Sequence, residues 1–182
     1  MLAGLFGGSV ARLLEVLVFA SEPLHLRETA RRAQMAPIQA SRALSGLVKA
    51  GLVERKPVGN MVLFSLNRES REAKLLSELV ESECGVIPAL KKALEKEENV
   101  ETAFVYGSFA SRKQGAKSDV DVIVVGSADL VSLARAFSEA SVKYGREINY
   151  SVYSRKEFDA KKKTPFLKRV LAEEKIMLVG KL

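Results

Sequence analysis

Two short stretches carry residue types that can do chemistry together. The first, Ala103-Phe104-Val105-Tyr106-Gly107-Ser108-Phe109-Ala110-Ser111-Arg112, is an apolar run ending in a Gly-Ser pair. The second, Ser118-Asp119-Val120-Asp121-Val122-Ile123-Val124-Val125, opens on two acidic residues and turns apolar. Glycine lets backbone come close to a ligand, and a serine after it can cap a helix. The start of such a helix offers unpaired N–H groups to a phosphate. In the second stretch a period of two puts Asp119 and Asp121 on one side of a strand, about 6–7 Å apart. Two hard carboxylates on a rigid face, opposite a phosphate cradle, suit Mg²⁺ or Mn²⁺ with a nucleoside triphosphate.

Strand, Gly-Ser, helix, Ser-Asp-x-Asp and apolar strand, in that order, resemble the signature of the DNA polymerase β-type nucleotidyltransferase superfamily. The likeness is to its minimal (MNT-type) branch, and it extends from the motif at residues 103–125 to about residue 180. It implies a two-metal in-line transfer of a nucleoside monophosphate to an acceptor hydroxyl. Carried over, Asp119 and Asp121 take the metal and catalytic roles. Gly107 and Ser108 take the phosphate role, and Lys117, with Arg112 and Lys113, supplies positive charge. The family's third carboxylate, on a neighbouring strand, aligns with Asn149, whose amide cannot act as a base. Glu147 shares the Asn149 face by period two and is the remaining catalytic candidate, or else a surface partner of Arg146 or Arg155. Tyr106 and Phe109 flank the turn, either to stack on a base or to fill core. A P-loop is excluded, because Ala116 interrupts Gly115-Lys117-Ser118 and no glycine stands at the required upstream spacing.

These residues need a scaffold, and the chain's periodicity supplies one. The helical segment Ser127–Tyr144 (Leu130, Leu133, Ala134, Phe137), a strand over Glu147–Tyr153, helices around Phe158, Phe166, Leu167 and Val170, and a last apolar run at Ile176 complete an α+β layer with a mixed sheet. Ahead of it, residues 9–22 carry an apolar stripe with Ser9 as a candidate cap, and residues 26–34 form a second helix. A third runs from Pro37 to Ala50 and is closed by Gly51. Strand-like runs Leu52–Val58 and Met61–Leu66 flank the turn Gly59-Asn60.

The expected fold class is thus α+β. Residues 1–67 read as a three-helix winged helix-turn-helix with a β-hairpin wing, and residues 68–98 as linking helices broken near Cys84-Gly85 and Pro88. Residues 99–182 read as the nucleotidyltransferase domain, a mixed β-sheet flanked by helices. The segment from Ser41 to Arg55 resembles the recognition-helix-to-wing passage of small prokaryotic regulators. That resemblance implies double-stranded DNA as a partner. Gln39, Ser41, Arg42 and Ser45, with Gln34, would meet a major groove, and Arg55 and Lys56 would meet phosphates.

Composition agrees with two phosphate-meeting domains. Residues 1–67 hold 8 Lys and Arg against 4 acidic residues, residues 68–98 hold 6 against 8, and residues 99–182 hold 15 against 10. Cys84 is the single cysteine, which excludes an intramolecular disulfide and fits a reducing cytoplasm. With His25 alone, histidine-based zinc chemistry is excluded. No signal peptide or 18-residue apolar span is read, so neither membrane nor secretion is expected. The readings that follow are a transferase, a nucleotide-sensing transcriptional regulator, and an antitoxin-like protein with a HEPN-type helical partner. Homodimerisation is expected from the paired half-sites that helix-turn-helix proteins read.

Overall fold

Leucine and alanine at helical spacing build the first half of the chain. A computed structural model describes residues 1–111 and 118–182. Contacts divide it into two units, Met1–Gly85 and Val86–Leu182.

In the first unit, helix α2 (Gly8–Phe19) buries Ala11, Leu13, Leu14, Leu17 and Val18. A single turn, α1 (Leu2–Phe6), precedes it, and its start is held by Glu83, which accepts from the Met1 amine at 2.6 Å and the Leu2 N–H at 2.8 Å. Ser9 is therefore not the cap of α2. The chain reverses at Gly7 (φ 77°), and α2 has no side-chain cap bond. Strand β1 (Leu24–His25) leads into α3 (Leu26–Arg32), where His25 Nδ1 accepts from the Glu28 N–H at 3.2 Å.

Helix α4 (Pro37–Lys49) begins on proline, buries Ala40, Leu44 and Leu47, and ends before Gly51 at φ 72°. Strands β2 (Val53–Val58) and β3 (Met61–Leu66) pair antiparallel, and β1 adds to the free edge of β3. Helix α5 (Arg71–Cys84), capped by Ser70, sends Ala73, Leu76 and Val80 into the same core, with Cys84 packed at its margin. Leu75 of the same helix is 56% exposed.

The second unit begins with α6 (Val86–Leu94), so residues 68–98 fall across the division, α5 on one side and α6 on the other. Its sheet runs β6-β5-β4-β7. The strands are β4 (Val100–Tyr106), β5 (Val120–Gly126), β6 (Ile148–Tyr153) and β7 (Ile176–Val179). Strand β4 pairs antiparallel with β5 and β7, while β5 pairs parallel with β6, which makes the sheet mixed. The one-turn helix α7 (Gly107–Ala110) follows β4 directly. Helix α8 (Leu130–Tyr144) starts three residues after the expected Ser127, because Asp129 caps it by accepting from the Val131 N–H at 3.0 Å.

Strand alternation assigns each sheet face its own helices. Ala103, Val105, Val120, Val122 and Val124 pack with Leu90 of α6 and with Leu133 and Phe137 of α8. Phe104, Ile123 and Val125 pack on the opposite face with Phe158 of α9 (Arg155–Lys161) and with Leu167 and Val170 of α10 (Pro165–Ala172). Burial on both faces is why β5 reads as a continuous apolar run rather than an alternating one. Among the described residues no helix is long and apolar enough to cross a membrane.

One surface cluster gives the first unit a pH signature. Arg31 grips Glu28 through two hydrogen bonds of 2.8 and 2.7 Å, and Arg32 adds one of 2.6 Å. Hydrogen bonds from Arg31 and then Arg32 lower the Glu28 carboxyl to about 2. Its contribution to stability is present above the ordinary carboxylate range and disappears as pH falls towards 2. Glu28→Gln should therefore unfold at a lower temperature than the native chain at pH 7. The gap should close between about pH 4.5 and 2 in a series of thermal melts.

Candidate functional site

The two chemical stretches meet because β4 and β5 are adjacent and antiparallel. Tyr106, the last residue of β4, lies opposite Asp121 of β5. The turn after Tyr106 and the carboxylate of Asp121 are thereby forced together. Gly107 sits at φ +77°, and a Cβ there would stand 3.2 Å from Asp121 Oδ2. Both the positive φ and the close approach call for glycine at this point.

Asp119 lies one residue before β5 and is exposed, whereas Asp121 is half-buried within it. Asp121 keeps the parity of Ile123 and Val125, so it belongs to the sheet face covered by α9 and α10. Ser108 is not the cap of α7. Tyr106 holds the N-cap position and Ser108 lies inside the four-residue helix, without a side-chain cap bond. A single turn carries little macrodipole, so any anion binding here rests on local N–H groups.

Across the parallel β5–β6 pair, Asn149 lies opposite Asp121, and its Nδ2 donates to Asp121 Oδ1 at 3.5 Å. The residue expected at the third position is thus an amide facing the carboxylate. Glu147 falls just before β6 and is exposed, and its carbonyl accepts from the Val120 N–H at 2.9 Å. Arg155, one of its expected partners, instead pairs with Glu101 at 2.8 Å. Among the described residues no cluster of three His, Cys, Asp or Glu is placed to hold a metal. The carboxylates that could hold a divalent cation here are Asp119, just before β5, and Asp121, within it. Lys117, with Arg112 and Lys113, lies outside the described residues.

Sequence reasoning missed Arg146. Its Nη1 donates to the Ser118 carbonyl at 3.1 Å, and its guanidinium sits 5.1 Å from the centre of the Phe109 ring. One side chain thus joins the helix after Gly-Ser to the approach to Asp-x-Asp. Its place beside Glu147 could not reveal this, because the contact reaches 28 residues back along the chain.

Tyr106 is neither free nor wholly core. Its ring meets Phe166 of α10 edge-on, with centroids 6.0 Å apart at 81°. Burial pushes its phenol above the ordinary range, Asp121 and Tyr153 add to this, and Arg169 opposes it. The phenol stays protonated at neutral pH.

In the first unit, Gln39, Arg42 and Ser45 lie on the exposed side of α4, with Gln34 and Ile38 exposed near its start. Ser41 is half-buried, and its carbonyl accepts the Ser45 hydroxyl at 2.9 Å. Arg55 and Lys56 are exposed on β2, and as successive strand residues they point to opposite faces.

Comparison with known proteins finds similar chains among solved structures. Among seven matching chains of known structure, one is described as a toxin–antitoxin with AMP-PNP. It is 13% identical with a TM-score of 0.39, over 52% of this chain and 73% of that one. A mutant of the toxin–antitoxin MntA-HpeT is 11% identical, TM-score 0.38, over the same shares. A chain described as a nucleotidyltransferase from Sulfolobus solfataricus is 20% identical, TM-score 0.33, over 54% of this chain and 83% of that one. No curated protein matches. The family model described as Polymerase beta, Nucleotidyltransferase matches residues 89–179.

A matched pair of glycine variants tests the cradle. Gly145 also has positive φ (+60°), yet a Cβ there meets nothing within 4 Å. Gly107→Ala and Gly145→Ala should each lose about 1–2 kcal/mol of stability in urea titrations, from the left-handed backbone. Calorimetry should show Mn²⁺-dependent nucleotide binding weakened at least tenfold in Gly107→Ala and intact in Gly145→Ala. Equal binding in the two would overturn the cradle.

Proposed function

The chain belongs to the Polymerase beta nucleotidyltransferase family through residues 89–179, and on that premise we propose that it binds a nucleoside triphosphate with Mg²⁺ or Mn²⁺ and transfers the nucleoside monophosphate to a hydroxyl acceptor. The observation that carries this reading is the approach of the Gly107 backbone to Asp121, fixed by the register of β4 and β5. A phosphate lying over Gly107 and Ser108 would sit beside the carboxylates that suit a divalent cation. Asp119 and Asp121 would hold that cation, which supplies charge neutralisation at the triphosphate and stabilises charge developing at the α-phosphorus. Asn149 would orient Asp121 through its amide, and Arg146 would keep the two halves of the site in register. Lys117 remains a candidate for phosphate charge.

Asn149 also favours a second reading. An amide takes no proton from an attacking hydroxyl, and Glu147 lies outside β6. A protein that holds nucleotide and metal but transfers slowly would act as a sensor. The first unit fits that role as a winged helix-turn-helix module for double-stranded DNA. Its candidate contacts are Gln39, Ser41, Arg42 and Ser45 on α4, with Arg55 and Lys56 on the hairpin. In this reading the chain is an autoregulating, antitoxin-like protein, working as a homodimer, with a HEPN-type helical partner as candidate acceptor or client.

Transfer is tested with labelled ATP, GTP, CTP and UTP plus Mg²⁺ or Mn²⁺, with and without the product of the adjacent gene. Label on any acceptor should fall at least a hundredfold in Asp119→Asn/Asp121→Asn. Saturable metal-dependent binding without transfer would select the sensor, and no nucleotide binding would sink both readings.

The DNA module makes a separate prediction. Arg42→Ala should weaken gel-shift binding to the chain's own upstream DNA by about 1–3 kcal/mol if Arg42 reads a base edge. Arg55→Ala/Lys56→Ala should weaken binding to all duplexes alike and flatten the salt dependence. Retention of native affinity in both variants would remove DNA from the partners.

A further inference from the structure

The outward N–H and C=O groups of an edge strand invite a further strand unless something guards them. Among the described residues the two sheets have four edge strands, and three are guarded. Strand β1 has two residues, and β2 carries Glu54, Arg55, Lys56 and Pro57 along its length. Strand β7 has four residues, and its pairing with β4 is interrupted by a register shift. Strand β6, Ile148-Asn149-Tyr150-Ser151-Val152-Tyr153, has no charge, proline or glycine. It keeps unbroken register with β5 from Ile148 to Tyr153, so no bulge turns it aside. The Glu147 carbonyl accepts from the Val120 N–H at 2.9 Å. Alternation along the strand then turns the backbone groups of Ile148, Tyr150 and Val152 away from β5. The middle of this edge is open. Asn149 is exposed, and Tyr150 is 38% exposed although its ring centre lies 5.1 Å from that of Phe137.

The strand that fits this edge is β6 itself. An antiparallel partner must set outward-turned residues opposite one another, each such pair exchanging two hydrogen bonds. A two-fold axis at Tyr150 does this for all three. Tyr150 meets the partner's Tyr150, and Ile148 meets the partner's Val152. One aromatic pair and two aliphatic pairs then lie on the sheet face that holds Phe137. On the face of Asp121, Asn149 meets the partner's Ser151 and Glu147 meets the partner's Tyr153. Because Lys161 Nζ stands 5.2 Å from the centre of the Tyr153 ring, the exposed Glu147 carboxylate comes beside a cation of the other chain. An axis at Ser151 fails, since it sets Ile148 against Ser154, whose N–H already donates to Glu157 at 2.9 Å. We propose that two copies of this chain pair antiparallel through β6 about Tyr150, joining their four-stranded sheets into one. This surface belongs to the second unit, not to the helix-turn-helix whose half-sites lead one to expect a dimer. Asn149, which donates to Asp121 at 3.5 Å, gains the hydroxyl of the partner's Ser151 as a second neighbour. Each candidate site thereby borders the other chain. The pairing itself does not rest on transfer of a nucleotide.

The test uses the full chain with Cys84→Ser, which removes its single native thiol. At the axis the two Tyr150 Cα atoms stand about 5.5 Å apart, inside the range of a disulfide. The two Ser151 positions lie on a diagonal of about 7–8 Å, outside it. Mild oxidation should therefore crosslink most of a Tyr150→Cys chain into dimer and at least tenfold less of a Ser151→Cys chain. No crosslinking of Tyr150→Cys, or equal crosslinking of the two, would overturn the pairing. Charge at the axis gives a reversible form of the same test, read by sedimentation equilibrium. Tyr150→Lys and Tyr150→Glu should each weaken self-association at least tenfold, because like charges meet, and an equimolar mixture should restore it as a mixed dimer. Mixing does not rescue a chain that has merely misfolded. Parental association in either single variant, or no recovery in the mixture, would overturn the proposal. In an NMR titration of isotope-labelled Tyr150→Lys chain, the Asn149 side-chain amide should shift as unlabelled Tyr150→Glu chain is added. A resonance that stays put while the mixed dimer forms would strike the partner's Ser151 from the site.

Discussion

The antiparallel register of β4 against β5 is the constraint on which the second unit depends. With Tyr106 opposite Asp121, Phe104 falls opposite Ile123, and both enter the core under α9 and α10. Val105 and Val122 then fall together on the α6–α8 side. A slip by one residue would carry every β5 side chain to the wrong face, burying Asp121 under α8 and turning Ile123 out of its core. Each buried aliphatic or aromatic side chain contributes about 1.5–3 kcal/mol, so the two cores enforce this pairing strongly. The position of the carboxylate is therefore a by-product of packing that lies well away from it. The geometry of the candidate site inherits its precision from valines and isoleucines.

Local chemistry then refines what the register supplies. Gly107 gives up a side chain so that backbone and carboxylate can approach, and Arg146 holds Phe109 and Ser118 from the far side. Neither residue contributes a side chain to metal binding or acid–base chemistry in the proposed transfer. Both act by fixing distances between two segments that are otherwise joined through residues 112–117. Tyr106 has a similar double role, closing the core by its contact with Phe166 while standing over Asp121.

Much of this was legible in the chain because it is local. The Gly-Ser turn, the aspartates of shared parity, the Pro37 start of α4 and the Gly59-Asn60 hairpin are all written within a few neighbouring residues. The family assignment over residues 89–179 agrees with the reading made from residues 103–125 and extended to about 180. What escaped depends on distant partners. The Gly7 reversal, with α1 tied to Glu83, displaced Ser9 as a cap through a contact 82 residues away. Strand β1 has two residues and exists only because β3 offers an edge. Ser108 looked like a cap, but Tyr106 holds that position and the helix starts two residues earlier than a Ser108 cap would place it. Arg146 and Phe166 gave no local sign, since each acquires its neighbours from a segment far along the chain.

The parallel pairing of Asp121 with Asn149 has an evolutionary consequence. Asparagine and aspartate have nearly the same shape, differing by an amide NH₂ for an oxygen. The scaffold at the third position is thus already the one an acid would occupy. Their codons differ by one base, AAY against GAY. A lineage carrying this chain stands a single transition away from a third carboxylate, with no repacking of β5 or β6 required. On the proposed reading, gain and loss of a third acid are then nearly symmetrical steps, each one base change that leaves the sheet as it stands.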